Sequence, residues 1–149
     1  ISDEMHIESE FKSALVEGQL ELHYQPVVDT RTGKASESEA LVRWRHPVRG
    51  LLYPDSFIDV AEETGLVVPL GDWVAAEAAR QLSEWDHSGS RIDRVWINMS
   101  AAELAHPGYG ERMSNYALMN GLEAGRIGVE LTERELLKAL EKPLSVYRS

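Results

Sequence analysis

The chain contains no cysteine. That excludes disulfides, thiolate metal sites and thiol catalysis, and it fits a reducing, cytoplasmic setting. No apolar run approaches ~18 residues and no signal peptide opens the chain, so a membrane span is not expected. Internal repeats, linkers and low-complexity stretches are also missing. An initiator methionine is absent, and a start at Ile1 suggests a piece of something longer. Cations are scarce: 15 Lys and Arg stand against 25 Asp and Glu, a net charge of −10. A field of that sign repels phosphates beyond the Debye length of ~8 Å, which argues against general nucleic-acid binding. An anionic ligand would need local cations or a metal to offset it.

What is present suits one α/β domain. A length of 149 residues, 43% hydrophobic and 27% charged, allows one core of useful size. Residues 3–17 read as an amphipathic helix, with Ile7, Phe11 and Ala14/Leu15 on one face and Gly18 as its stop. Apolar and polar residues then alternate over 20–25, which is strand behaviour, and Pro26 is expected to end it. Residues 29–33 read as a turn and 37–44 as a second strand. Past the Pro47 to Gly50 turn, helices are expected over 55–64 and 70–86. The longer one has Leu70, Trp73, Val74, Ala78, Leu82 and Trp85 on one face. A strand at 94–99, a helix at 110–120, a strand at 126–131 and a helix from Glu133, with Leu136, Leu137 and Leu140 on its buried side, complete the order. This alternation predicts a mostly parallel sheet.

Glu39, Asn98 and Glu130 sit in predicted strands where apolar residues would be cheaper. Active sites of parallel sheets gather at the carboxyl ends of strands. Two carboxylates and an amide oxygen form a hard, oxygen-only set suited to Mg²⁺ or Mn²⁺. Read singly, each is by default a capped, hydrogen-bonded or solvated polar residue. Of the histidines, His46 before Pro47 is expected to fix its turn rather than to act as acid or base. His6, His23, His87 and His106 have no partners at ligand spacing. Trp44, Trp73, Trp85 and Trp96 fall at core periodicity, and Gly108 and Gly110 match no phosphate cradle.

Five blocks resemble the EAL domain, a bacterial family that binds and hydrolyses cyclic di-GMP: LHYQPVVD at 22–29, EALVRWRHP at 39–47, YPDSFIDVAEETGL at 53–66, WINMS at 96–100 and VELTERELL at 129–137. The likeness runs from about residue 8 to 140. It implies a modified (βα)8 barrel, of which residues 1–149 would supply the N-terminal half, with about four strands and a first strand that can run opposite to the others. It implies that Glu39, Asn98 and Glu130 are ligands of one Mg²⁺ or Mn²⁺, that Glu133 stabilises a loop beside the site, and that Gln25, Leu41 and Arg43 contact the ligand. A guanidinium at 43 suits a phosphate, which it can grip with two parallel hydrogen bonds.

Complete members of the family continue to an Asp-Asp-Phe-Gly block that binds metal, then to a Lys, a Glu and a Gln. No Asp-Asp pair occurs in this sequence. A chain with one cation's partial ligand set is therefore expected not to hydrolyse cyclic di-GMP to the linear dinucleotide pGpG, to hold a cation weakly or not at all, and to bind cyclic di-GMP weakly or not at all. The alternative is a degenerate module that senses cyclic di-GMP or binds protein partners. Glu37 stands where the family usually has Gly, and a carboxylate there is expected to crowd the interior or repel the ligand. A half barrel should expose an apolar inner face and two bare edges, which predicts a homodimer or a swapped partner to cover them.

Overall fold

The structure is a computed structural model that describes residues 2–141. Helix α1 (Ser2–Glu17) precedes strands β1 (Leu20–Val28), β2 (Ala35–His46) and β3 (Gly50–Leu52). A short 3-10 turn at Pro54–Ser56 leads to α2 (Ile58–Thr64) and α3 (Val67–Ser88). Then come β4 (Arg94–Met99), α4 (Ala101–Ala105), α5 (Tyr109–Met119), β5 (Ile127–Leu131) and α6 (Glu133–Leu140). Among these helices none is long and apolar enough to cross a membrane.

The strands form one open mixed sheet in the order β1-β2-β4-β5, with β3 paired to β2 off that path. Strand β1 runs antiparallel to β2, while β2, β4 and β5 are parallel. The α/β architecture, the reversed first strand and the four long strands all agree with the sequence reading.

Several boundaries differ from the sequence reading. Pro26 does not end β1, which continues to Val28 with Pro26 opposite Ser38. As an edge strand, β1 can carry a residue without an N–H on its open side. Strand β2 runs two residues further at each end than 37–44, and β3 was not anticipated. It closes a tight hairpin in which His46 pairs with Gly50. Helix α4 was also missed, although its Ser100-x-x-Glu103 start is a capping box in the sequence and in the structure.

Alternation along β2 sorts the two faces of the sheet. Ser38, Ala40, Trp44 and His46 are buried under the helices. Phe11 of α1, Trp44 of β2 and Phe57 at the entry to α2 meet with ring centroids 5.3 to 5.7 Å apart. This cluster ties α1 to the sheet. On the same side α3 lays down Leu70, Val74, Ala75, Ala78, Ala79 and Leu82, all buried. The three small alanines let the helix approach the sheet closely.

The opposite, concave face is not apolar as expected. It carries Glu21, His23 and Gln25 from β1, Glu37, Glu39, Leu41, Arg43 and Arg45 from β2, Arg94, Trp96 and Asn98 from β4, and Gly128 and Glu130 from β5. A face expected to be apolar, as the inside of a half barrel, is instead mostly polar and charged, so covering it gains little from the hydrophobic effect. Exposed apolar surface lies elsewhere. Leu136, Leu137 and Leu140 are 46%, 56% and 69% exposed, and α6 turns only Ala139 inward. Polar contacts set that orientation, since Glu135 accepts from the Ala101 N–H and Lys138 pairs with Glu62.

Candidate functional site

Between Glu39 and Trp44 the side of β2 away from β1 has no strand against it. Strand β4 pairs only with Glu37, Ser38 and Glu39, and β3 takes over at Trp44. The gap opens at the carboxyl ends of the parallel strands. It forms the wall of a cavity of about 470 Å³ whose lining includes Leu41, Arg43, Asn98, Glu103, Thr132 and Glu135.

The three expected cation ligands come together on one face of the sheet, and of them Asn98 also lines the cavity. Asn98 and Glu130 are register partners on β4 and β5. The Asn98 Nδ2 donates to Glu39 Oε2 at 3.2 Å, which leaves the amide oxygen of Asn98 uncommitted by that bond. Burial, and then the neighbouring charge of Glu39, push the Glu130 carboxyl above its ordinary value. A carboxyl raised in this way by its neighbour, with that neighbour and an amide oxygen beside it, forms a donor set that a hard divalent cation would relieve. The set fits such an ion in kind and is short in number. Among the described residues no group of three or more His, Asp or Glu side chains could hold a metal ion.

The expected ligand contacts share this face. Gln25 is exposed on β1 directly opposite Glu39. Leu41 and Arg43 follow Glu39 at alternate positions up β2 and line the cavity. Arg43 donates from one terminal nitrogen to the Val42 carbonyl at 2.8 Å, and its guanidinium lies 4.4 Å from the centre of the Tyr53 ring. Its Nε is buried without a partner among the described residues. The ring and the Val42 carbonyl hold the guanidinium at the cavity wall. Tyr53 opens one of the EAL-like blocks but was not singled out as a site residue. Glu133 is exposed at the first position of α6, and the acid of that helix that does reach the site's surroundings is Glu135.

Glu135 links the two loops that carry the site. One of its oxygens accepts from the Ala101 N–H at 2.8 Å, at the start of α4 just past the end of β4. Lys138 bridges Glu135 and Glu62 at 3.4 and 3.1 Å. Beside them Glu103 is 5% exposed and caps α4 through Ser100. Burial pushes its carboxyl up to about 7. Gly71 of α3 makes room for it, since a Cβ there would lie 1.8 Å from Glu103 Oε1.

His46 plays the part expected of it. Its Nδ1 accepts from the N–H groups of Val48 and Arg49, and its Nε2 meets the Glu10 carboxylate. Of the four tryptophans only Trp44 is fully buried, and Trp73 and Trp85 are half-buried. Trp96 departs from the core reading altogether, because it stands on the concave face. Glu37 does not crowd that face as a bare charge. It pairs with Arg94 at 3.2 Å and accepts from the Trp96 Nε1 at 3.3 Å.

Comparison with known proteins gives a consistent picture. The sequence model of the EAL domain matches residues 8–149. The chain is 35% identical over 144 residues to the bifunctional diguanylate cyclase/cyclic di-GMP phosphodiesterase MucR of Pseudomonas aeruginosa, covering 97% of this chain and 21% of that protein. It is 40% identical over 142 residues to the cyclic di-GMP phosphodiesterase PdeR of Escherichia coli, covering 95% of this chain and again 21% of the relative. Among solved structures, the MucR phosphodiesterase in complex with c-di-GMP superposes with a TM-score of 0.82 at 36% identity, over 95% of this chain and 59% of that one. The chain thus spans about a fifth of these curated relatives and somewhat over half of that solved phosphodiesterase.

Proposed function

The chain belongs to the EAL-domain family of cyclic di-GMP phosphodiesterases, and from that membership we propose that its concave face is half of a site for cyclic di-GMP and a divalent cation. Glu39, Asn98 and Glu130 are the proposed ligands of Mg²⁺ or Mn²⁺. Gln25, Leu41 and Arg43 are the proposed contacts to the dinucleotide, and Glu133 the support of a neighbouring loop. The observation that carries this reading is the convergence of Glu39, Asn98 and Glu130 on one side of the sheet, the side that also carries Arg43.

A bound cation would supply Lewis acidity to a phosphodiester oxygen and lower the pKa of a coordinated water. The chain's own residues bind and orient. Arg43 brings a guanidinium to the cavity wall, where it would pair with a phosphate and offset the negative field locally. Leu41 offers an apolar surface for a base, and the open edge of β2 leaves the ligand room to enter. A polypeptide of these 149 residues has no Asp-Asp pair and is proposed to position no second cation, so it should not turn over cyclic di-GMP.

The other reading, a degenerate module that senses cyclic di-GMP or binds protein, draws on Glu37 as a repelling charge. With Arg94 and Trp96 on that carboxylate, Glu37 does not favour it. A homodimer or swapped partner remains part of the proposal. It would cover the sheet edges and the Leu136, Leu137 and Leu140 stripe rather than the polar concave face.

Titration with Mn²⁺, followed by the loss of the free-ion paramagnetic signal, tests the half-site. The expected affinity is weak, on the order of millimolar, since an ion of this kind depends on substrate phosphates and waters to complete its shell. Glu39→Ala and Glu130→Ala should each abolish the binding. No linear dinucleotide should form from cyclic di-GMP with Mg²⁺ or Mn²⁺. Turnover that Glu39→Ala removes would show that this half-site does more than bind.

A further inference from the structure

Beneath the candidate site lies a second tier of side chains that none of the proposed roles uses. Two residues before Glu39, Asn98 and Glu130 stand Glu37, Trp96 and Gly128. Strand alternation puts each on the same face as the site residue above it. The lower tier is in mutual contact. Glu37 Oε2 accepts from the Trp96 indole Nε1 at 3.3 Å, and Glu37 Oε1 accepts from Arg94 at 3.2 Å. Arg94 in turn lies 5.6 Å from the centre of the Trp96 ring and donates to the Gly125 carbonyl at 2.9 Å. On the other side the indole lies across Gly128. A Cβ on Gly128 would be 2.5 Å from Trp96 Cε3 and 2.6 Å from Cζ3.

We propose that Glu37 and Trp96 act as a coupled pair that positions Glu39, Asn98 and Glu130. The proposal rests on the half-site reading above. One ring spans three strands: its N–H reaches back to β2, its Cβ is anchored on β4, and its six-membered edge covers β5. The pair is needed because the backbone does little at this point. The β2–β4 ladder has three rungs and ends at Glu39 opposite Trp96, so no further backbone pairing fixes how far Glu39 sits from Asn98. A side-chain strut directly below the last rung can fix it. The tier also explains how a carboxylate is accommodated at 37. Its charge is met by Arg94, its second oxygen by the indole, and Gly128 gives the ring its space.

The test compares wild type with Glu37→Ala, Glu37→Gln, Trp96→Phe and the Glu37→Ala/Trp96→Phe double variant. Two quantities are read. One is the Asn98 side-chain amide resonance without any cation, assigned by its loss in Asn98→Asp. The other is the affinity for Mn²⁺. Glu37→Ala and Trp96→Phe should both shift the Asn98 amide and weaken Mn²⁺ binding about tenfold, the scale seen when a supporting partner of a metal ligand is removed. The double variant should be no worse than the worse single one, because the two residues act as one unit. Glu37→Gln keeps an oxygen for the indole N–H while dropping the charge, and it should stay close to wild type.

The pair is overturned if the Asn98 amide ignores Glu37→Ala and Trp96→Phe, or if the two losses add. A Glu37→Gln variant as weak as Glu37→Ala also overturns it, because Glu37 would then act through its charge alone. If wild type takes up no Mn²⁺, the half-site reading falls and the Asn98 amide alone decides whether the strut exists. If Trp96→Phe fails to fold, the contrast between Glu37→Ala and Glu37→Gln still decides.

Discussion

Phe11→Ala should destabilise the chain by about 3–5 kcal/mol, the range for deleting a buried aromatic ring from a packed interior. Phe11 is 1% exposed and contacts two other rings: Phe57 stacks on it at 5.3 Å, and Trp44 meets it edge-on at 5.4 Å. Both neighbours are themselves buried and anchored from other directions. Trp44 is fixed by the sheet and by its N–H donating to Gln19 Oε1 at 3.1 Å. The vacated volume therefore cannot close by a small local shift. Since a domain of this kind is stable by only ~5–15 kcal/mol, the substitution would remove a large share of the whole. Urea denaturation should show a much lower midpoint with the slope retained. Val16 on the same helix is 86% exposed, and Val16→Ala should change stability by less than ~0.5 kcal/mol. A loss at Phe11 below ~1 kcal/mol would mean that α1 is not docked as described.

Glu103→Gln should stabilise the protein above neutral pH by as much as ~3 kcal/mol and should have little effect near pH 4. Burial raises the folded-state value of this carboxyl from 4.5 to about 7, against the hydrogen bonds from Ser100 that favour the ionised form. Below pH 4.5 the group is protonated whether the chain is folded or not, and its titration contributes nothing. Between 4.5 and about 7 the unfolded chain releases the proton while the folded chain keeps it, so stability falls as pH rises. Above about 7 the loss is complete and constant. Glutamine can still accept from the Ser100 N–H, so the capping box survives. The measurement is the difference between variant and wild type in thermal or urea unfolding from pH 4 to 8. A difference that does not widen across that range would show that Glu103 ionises normally in the folded state. Gly71→Ala attacks the same contact by steric means, since its Cβ would overlap Glu103 Oε1. It should be destabilising at every pH.

The sequence disclosed the order of elements and the site better than it disclosed the surfaces. Glu39, Asn98 and Glu130 could be picked out because a polar residue in a buried-looking strand breaks the period, and the EAL-like blocks then implied the role proposed for each. Their convergence follows from strand register alone. The concave face was misread because the likeness to half a barrel implied an apolar interior and said nothing of the polar residues this chain places there. Trp96 looked like core because alternation says which residues share a face, and says nothing about whether that face is packed. Leu136, Leu137 and Leu140 satisfy helical spacing, yet the orientation of α6 is decided by Glu135 and Lys138, whose partners are 34 and 76 residues away in the chain. Those partners leave no local signature. The strut at Glu37 was visible only as an oddity. Its partners Arg94 and Trp96 lie on β4 and Gly128 on β5, and only the folded sheet brings them to Glu37 on β2.

The interrupted edge of β2 has a consequence for how the backbone meets water. Strand β1 covers one side of β2 along most of its length, while β4 leaves the other side after Glu39 and β3 arrives only at Trp44. Every second amide between them therefore points into the gap rather than at a partner strand. In deuterated solvent these protons should be replaced early, although their neighbours on the same strand remain locked. The result would be an alternating stripe of fast and slow positions within a single continuous strand. Any occupant of the cavity that hydrogen-bonds to that edge would slow only the fast set. Exchange at residues 40–43 would then report occupancy of the cleft even for a molecule that changes neither the shape nor the overall stability of the fold.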